Sequence, residues 1–532
     1  MGELANEDAE RLAQASGLAA DRIVAEASCA AEPALAVGRV ADLDDGPASI
    51  GTLSREERIA LFALLGGSGH LSRVLRSLAD WRDWLRRAVA DELAPPVLDV
   101  TALERLGESD PLGAARELRR WRQHAYLRIG ARDLWGLASL GETFESLTAT
   151  AETAIAAATR LARRQVEQEY GELRLAAGRV NRFAVLGFGK LGARELNYSS
   201  DVDLVFVHES DEEASAGGPR GTLMPPGFFT RVAERTTKIL SEITADGFVF
   251  RVDLRLRPDG MNGPITSSVG ATLGYYEALG QTWERAALFK ARPVGGDLDL
   301  GNQLLGELAP FIYRRTLDYT MIADLEAMKA RVEEQERSKG RDRRNVKLGA
   351  GGIREVEFLV QSFAMVHGGK DRRLRERSTL GLLRVLLEVG LLQDADGAAL
   401  AESYVWLRRV EHALQIDEDR QVHTLPLDPS EVAMVARRLG LHLVGEGPVW
   451  HRAPARDALT TFTAEHARHT AIVRAAFSEL FRQRRENTVR SADEAARMLI
   501  DELDADDALQ RVAALGFADP SSALAALRLI RD

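Results

Sequence analysis

The sequence predicts an α+β chain, mostly helical, in which one small β-sheet core is flanked by an N-terminal helical region and a C-terminal helical bundle. Three observations predict it. Apolar residues recur three and four apart over long stretches, as at Leu78, Trp81, Trp84, Leu85 and Val89. The period turns strand-like only over roughly residues 181–300. After Asp318 the helical period returns.

Composition bounds the rest. At 532 residues, with 45% apolar and 28% charged side chains, the chain has length for about three or four domains with real cores. The net charge of −11 argues against bulk affinity for nucleic acid. Cys29 is the single cysteine, so an internal disulfide and a cysteine zinc site are both excluded, as expected for a cytoplasmic protein. The opening MGELANEDAERLAQ is acidic rather than signal-like. No stretch approaches about 18 uncharged apolar residues, so no membrane span is expected.

Residues 1–50 are rich in Ala, Glu and Asp with weak periodicity, which suggests frayed helix or partial disorder. Ser54-Arg-Glu-Glu57 is a capping box ahead of the apolar run Ile59, Leu61, Phe62, Leu64, Leu65. Leu147 to Tyr170 is Ala-rich, free of Gly and Pro, and predicts a long helix. Three strands are expected at Phe183–Leu186, Asp201–Val207 and Phe248–Leu256. The Gly- and Pro-rich stretch from Asp211 to Pro226 reads as a mobile loop, and a helix is expected over Phe228–Ala245. Helices follow at Ala323–Lys339, Gly381–Glu388 and Ala398–Glu418.

The chemistry lies in the strands. Along Asp201-Val-Asp-Leu-Val-Phe-Val207 the side chains alternate, so Asp201 and Asp203 share a face, about 7 Å apart. Two adjacent carboxylates repel, and a hard divalent cation removes that cost. The alternative is an acidic, solvent-facing edge strand. Upstream, Gly187-Phe-Gly-Lys-Leu-Gly192 leaves a strand and opens a short helix, where backbone N–H groups can cradle a phosphate. It is neither a dinucleotide fingerprint nor a Walker A loop. In Phe248–Pro258, Arg251, Asp253, Arg255 and Arg257 form the polar face. If that strand lies beside Asp201–Val207, Asp253 joins the two acids, with arginines ready for phosphate oxygens. Otherwise it is a salt-bridged strand. Three acids and flanking arginines suit metal-assisted phosphoryl or nucleotidyl transfer.

Gly189-Lys-Leu-Gly-Ala-Arg-Glu-Leu-Asn-Tyr-Ser-Ser-Asp-Val-Asp-Leu204 resembles the nucleotidyltransferase signature of glutamine synthetase adenylyltransferases. Gly189-Lys190 departs from the wider superfamily's Gly-Gly or Gly-Ser but agrees with this family. Further matches are Arg255–Gly260, Trp283-Glu-Arg285, Lys290-Ala-Arg-Pro293, Lys347–Phe358 and Leu407-Arg-Arg-Val-Glu-His412. The resemblance implies a nucleotidyltransferase-like mixed β-sheet core. The expected organisation is 1–120, an N-terminal helical region; 121–325, the catalytic domain; 326–485, a helical bundle; and 486–532, a linker or the start of a following region.

Members of that family carry two such units in tandem, one attaching AMP to a tyrosine of glutamine synthetase and the other removing it by phosphorolysis. Ser199-Ser-Asp201 and the Lys347–Glu355 segment resemble the N-terminal, adenylyl-removing unit. The resemblance therefore implies a deadenylylating half of a longer enzyme, with adenylylated glutamine synthetase, inorganic phosphate and ADP, and a PII-type signalling protein as partners, and neither nucleic acid nor membrane.

On this reading Asp201, Asp203 and Asp253 bind one or two Mg²⁺ or Mn²⁺ ions. Gly189, Lys190 and Ser200 hold phosphate oxygens, Arg255 and Arg257 meet the incoming phosphate, and Lys290 and Arg292 lie near the nucleotide. A helix–sheet salt bridge is the alternative for that last pair. Of Glu355 and Glu357 only one can face the site, since side chains two apart on a helix diverge. His412 and His423 read as ordinary polar residues. The competing functions are forward, ATP-dependent adenylylation and a non-catalytic regulatory module.

Overall fold

The computed structural model describes residues 3–176, 178–313, 344–500 and 519–531, with a few single positions between them. The helix expected at Ala323–Lys339 falls outside these ranges. The chain groups into two compact units, Met1–Val473 and Arg474–Asp532. In the second, Val512 and Leu524 form a small buried cluster beside Ala523. Among the described residues no helix is long and apolar enough to cross a membrane.

The described residues from Glu7 to Ile50 form helices packed into the main core, contrary to the expectation of frayed helix or partial disorder. Ile23, Ala27, Val37, Val40 and Ile50 are buried in the main core. Ala9, Ala27, Ala30 and Ala36 share this core with the larger aliphatic side chains. Helix α1 (Arg55–Gly67) starts at the expected capping box: Ser54 Oγ accepts from the Glu57 N–H at 3.1 Å, and Glu57 Oε2 accepts from the Ser54 N–H at 2.7 Å. From Arg58 onward α1 is buried on every side. Arg58 is tolerated there because Glu26 takes its Nε at 2.6 Å and its Nη2 at 2.9 Å.

Helix α2 spans Pro111–Trp135 and stops at Gly136, whose φ of +74° lies in the left-handed region. Helix α3 spans Leu140–Tyr170. It starts earlier than its alanine run because Ser139 and Glu142 form a second capping box. Its buried Ala151, Ala154, Ala157, Ala158 and Ala162 let neighbouring elements approach closely.

The sheet is mixed, as expected. Strands β1 (Phe183–Gly187), β2 (Val202–His208), β3 (Val252–Asp253), β4 (Thr266–Ser268) and β5 (Arg292–Gly296) lie in the order β3-β2-β1-β5, with β4 also on β2. Strand β1 runs antiparallel to both β2 and β5. Strand β2 pairs in parallel with β3 at its start and with β4 at its end. All five β1 residues are buried, so both faces of the sheet are covered. The packing includes a stack of Phe183 on Phe206 and on Phe229, with centroids 5.8 and 5.1 Å apart. Phe229 belongs to helix α5 (Pro225–Ser241), which lies along α3; the one-turn helix α4 (Gly189–Gly192) precedes it. Helices α6 (Thr282–Phe289), α7 (Ile353–His367), α8 (Thr379–Glu388) and α9 (Asp394–Gln415) complete the surroundings of the site.

Two expectations need correction. The third strand shrinks from Phe248–Leu256 to Val252–Asp253. Before it, the N–H groups of Val249 and Phe250 are taken by the Leu240 carbonyl. After it, the chain turns through Asp259 and Gly260, both at positive φ. The loop after Asp211 is also pinned rather than loose. Ala216 and Gly217 donate to the carbonyls of Glu172 and Tyr170, and Ser215 donates to that of Leu223.

The buried Glu26–Arg58 pair yields a stability test. Burial pushes the Glu26 carboxyl up, but hydrogen bonds from Arg58 and Arg22 outweigh it and hold it below the usual range. Its contribution is therefore complete above the unfolded carboxyl value and is lost as pH falls through the lowered one. Glu26→Gln is expected to cost about 3 kcal/mol in urea unfolding at pH 7. The gap from wild type should narrow in acid.

Candidate active site

The parallel pairing of β2 with β3 puts Asp203 directly opposite Asp253 and Val202 opposite Val252. In-register partners on adjacent strands point the same way, one strand spacing apart. Val202, Leu204 and Phe206 are buried, as the alternation requires. The acids open onto a cleft of about 630 Å³, whose wall includes Gly189, Lys190, Ser200, Asp201, Asp203, Asp253, Arg255 and Lys290. Eight of the ten residues expected at the site are thus together.

Arg257 and Arg292 are not. Arg257 is buried and folds back onto its own turn, donating to the carbonyls of Leu254, Met261 and Gly263. Arg292 bonds Glu152 of α3 and the carbonyls of Leu191 and Gly192, so the helix–sheet salt bridge is the correct reading. The expected strand alternation past Asp253 fails because the chain turns there.

Each acid has a distinct environment. Asp201 Oδ1 accepts from Arg251 Nε at 2.7 Å, and Asp253 accepts from Arg255 Nε at 2.8 Å. Burial and the adjacent Asp253 push the Asp203 carboxyl up to about 6, against the pull of Lys347. The Arg255 hydrogen bonds hold Asp253 below the usual carboxylate range. Three carboxylates from adjacent strands are hard oxygen donors of the kind Mg²⁺ or Mn²⁺ takes, and a cation would relieve the crowding at Asp203. Among the described residues no three acidic or histidine side chains are already set as a metal cage.

The glycine loop is pressed against this cluster. Gly189 has φ of +54°, and a Cβ there would lie 2.7 Å from Asp203 Oδ2. A Cβ on Gly192 would meet the Lys290 carbonyl at 1.9 Å. Glycine is required at both places. Phe188 N–H donates to the Asp203 carbonyl at 2.9 Å, fixing the loop to β2.

Behind the loop, α9 presents Tyr404, Arg408, Glu411 and Gln415 along one face. Tyr404 Oη and Arg408 Nη2 donate to the side chain and the carbonyl of Glu195. Lys190 Nζ donates to both Glu411 oxygens at 2.8 Å and to Asn197 Oδ1 at 3.1 Å. Gln415 Oε1 takes Asn197 Nδ2 and the Ser199 N–H. Burial pushes the Glu411 carboxyl up, but Lys190, His423 and Arg408 outweigh it and keep it ionised. Lys190 is therefore anchored by Glu411 as well as lining the cleft.

Opposite the acids, two helices each show the cleft one face at spacings of three and four. Helix α6, with the residue after it, supplies Trp283, Ala286, Ala287 and Lys290; α7 supplies Arg354, Glu357, Phe358 and Gln361. Glu357, not Glu355, faces the site. Its carboxyl is held down to about 2, because Lys290, Lys190 and Arg354 outweigh burial. The Gly349–Gly352 turn brings Lys347 to the rim; a Cβ on Gly352 would crowd three carbonyls within 3.0 Å. His423, expected to be an ordinary polar residue, lines the cleft with Nδ1 3.0 Å from Glu411. His412 is buried against Tyr198 and Phe144.

The raised Asp203 carboxyl has a stability consequence. The folded state binds its proton more tightly than the unfolded chain does, so the carboxylate opposes folding above about pH 6 and is neutral in effect below about pH 4. In metal-free buffer, Asp203→Asn is expected to raise stability at pH 7.5 by about 1–3 kcal/mol and to leave it unchanged at pH 4. Urea unfolding at the two pH values measures this.

Residues 71–307 match the family model described as glutamate-ammonia ligase adenylyltransferase, and residues 326–481 match that of GlnD PII-uridylyltransferase. Among curated relatives, a bifunctional glutamine synthetase adenylyltransferase/adenylyl-removing enzyme of Burkholderia pseudomallei is 37% identical over 86% of this chain and 50% of its own length. The protein of that name from Pseudomonas aeruginosa is 46% identical over 64% of this chain and 34% of its own. That of Thioalkalivibrio sulfidiphilus is 40% identical over 79% and 42%. The chain spans about half the length of the first of these and less of the others. With its acids, glycine loop and flanking helices all inside these matched regions, the chain is a relative, over at most about half of their length, of the bifunctional glutamine synthetase adenylyltransferase/adenylyl-removing enzymes.

Proposed function

We propose that this chain is the deadenylylating half of such an enzyme, removing AMP from the adenylylated tyrosine of glutamine synthetase by phosphorolysis. The observation that supports it best is the in-register pair Asp203 and Asp253, joined by Asp201, on the wall of a cleft that also holds Lys190, Lys290, Lys347, Arg255 and Arg354. Acids alone would repel a phosphodiester, and cations alone would leave no place for a metal. Ser199-Ser-Asp201 and Lys347–Glu355 support the adenylyl-removing direction. The match of 326–481 to a family named for PII supports a PII-type signalling protein as regulator.

Asp201, Asp203 and Asp253 would hold Mg²⁺ or Mn²⁺, which when bound supplies Lewis-acid polarisation of the phosphoryl oxygens. Gly189 and Ser200 would orient the AMP phosphate through N–H and O–H donors. Arg255 would bring inorganic phosphate to the phosphorus. A phosphate oxygen forms the new P–O bond, the P–O bond to tyrosine breaks, and ADP and tyrosinate leave; the tyrosinate then takes a proton from water. Phosphate is already an anion at neutral pH, so no protein base need deprotonate it. Lys190, anchored by Glu411, would hold the loop in place through the reaction.

The test is ADP release from adenylylated glutamine synthetase with phosphate and Mg²⁺ or Mn²⁺, run beside unmodified glutamine synthetase with ATP. ADP is expected from the first mixture alone. Asp253→Asn should lower its rate at least about a hundredfold with an unchanged circular dichroism spectrum. AMP incorporation from ATP as the main activity would reverse the assigned direction. Turnover in neither mixture would leave a binding module.

A further inference from the structure

Away from the acid-lined cleft, a small cavity of about 40 Å³ forms where distant parts of the chain meet. Its wall includes Cys29, Asp133 near the end of α2, Arg409 of α9, and Arg437, Arg438 and Arg452. Four guanidiniums thus share one cavity with one carboxylate. Arg438 is matched, 3.1 Å from Glu32 and 2.7 Å from Asp417. Asp133 is engaged by Tyr198, whose hydroxyl donates to it at 2.8 Å, and lies 3.5 Å from His412.

The other three arginines meet only carbonyls. Arg437 donates to those of Ala31, Ser28 and Ala30 at 2.7–2.9 Å. Arg452 Nη2 donates to that of Gly440 at 2.9 Å, and Arg409 Nη2 to that of Leu439 at 3.4 Å. Among the described residues none of the three has an acidic partner, and the Arg452 Nε–H is buried without an acceptor. Burial lowers the affinity of Arg437 and Arg452 for their protons, with Arg409 and Arg456 adding like charge beside Arg452. Converging planar donors with unmatched positive charge suit an oxyanion, which accepts several N–H groups at once.

We propose that this cavity binds a small oxyanion, of the phosphate or carboxylate class, through Arg409, Arg437 and Arg452. An anion there ties the N-terminal helices, the end of α2 and α9 together, and binding to the folded state alone raises stability by mass action. The site is independent of the acid-lined cleft and of the reaction proposed for it.

The test titrates inorganic phosphate and succinate separately against the thermal unfolding midpoint of the full chain, at constant ionic strength. One of them should raise the midpoint saturably; the one acting at lower concentration identifies the class. Arg409→Gln/Arg452→Gln should raise the half-effect concentration at least about tenfold. Arg255→Gln/Lys347→Gln, which removes the cleft's own phosphate contacts, should leave the Arg409/Arg452-dependent shift in place. Arg452→Lys keeps the charge but removes the Nε donor, and should fall between wild type and the double variant even if the latter folds poorly. A midpoint that neither anion moves overturns the proposal. So does a shift that the Arg409/Arg452 variant keeps in full, or one that the Arg255/Lys347 variant abolishes.

Discussion

Two carboxylates held side by side on neighbouring parallel strands are the constraint around which this site is built. The register that puts Asp203 against Asp253 is set by backbone hydrogen bonds and by burial of Val202, Leu204 and Phe206 on the other face. A one-residue slip would turn that apolar set outward. The acids are therefore placed together by the core, and their repulsion has to be met locally. Arg251 and Arg255 meet it at the two flanks. Among the described residues the acid between them, Asp203, has no arginine hydrogen-bonded to it, and its carboxyl is the one pushed up.

Positioning the charges that surround this pair requires the helical bundle. The loop Gly189–Asp201 has almost no secondary structure of its own beyond one turn of helix. What orders it is the polar face of α9, where Tyr404, Arg408, Glu411 and Gln415 engage Glu195, Lys190, Asn197 and Ser199 in turn. Each of these α9 residues is buried, so leaving any one unpaired is costly. The sheet and the bundle are consequently not separable modules at this point. The glycine loop is shaped from behind by residues more than two hundred positions away in sequence.

This explains what was legible in the sequence. The acids, the glycine loop and the capping box at Ser54 are local patterns, and each stands where its spacing put it. Strand β3 was over-extended because alternation continues past Asp253 on paper, whereas Asp259 and Gly260 at positive φ turn the chain. Arg257 and Arg292 carry the right charge in the right neighbourhood, but carbonyls and Glu152 claim them. Glu411 lies in the family-like stretch Leu407–His412, but its part as the anchor of Lys190 is not legible there, because the two are 221 residues apart. The faces Trp283–Lys290 and Arg354–Gln361 were readable in principle, since polar residues spaced three and four apart on helices must share a side.

Charge placement also bears on why His423 need not act as a base. Its Nδ1 faces Glu411, and burial lowers its affinity for a proton despite that carboxylate. A neutral imidazole tied to an ionised Glu411, itself committed to Lys190 and Arg408, is poorly placed to accept another proton without disturbing the whole buried set. Proton abstraction from a phosphate nucleophile would moreover gain little, since that nucleophile already carries the charge it needs. The demand on the protein falls instead on cations that bring an anion toward three acids. Lys290 is offset by Glu357, so on the proposed reaction Lys347, Arg354 and Arg255 beside Asp253 would be the groups that lower this barrier. On the proposed reaction, attraction from these cations and a half-buried, crowded carboxylate beside them would favour an anionic substrate arriving together with a divalent cation over either one alone.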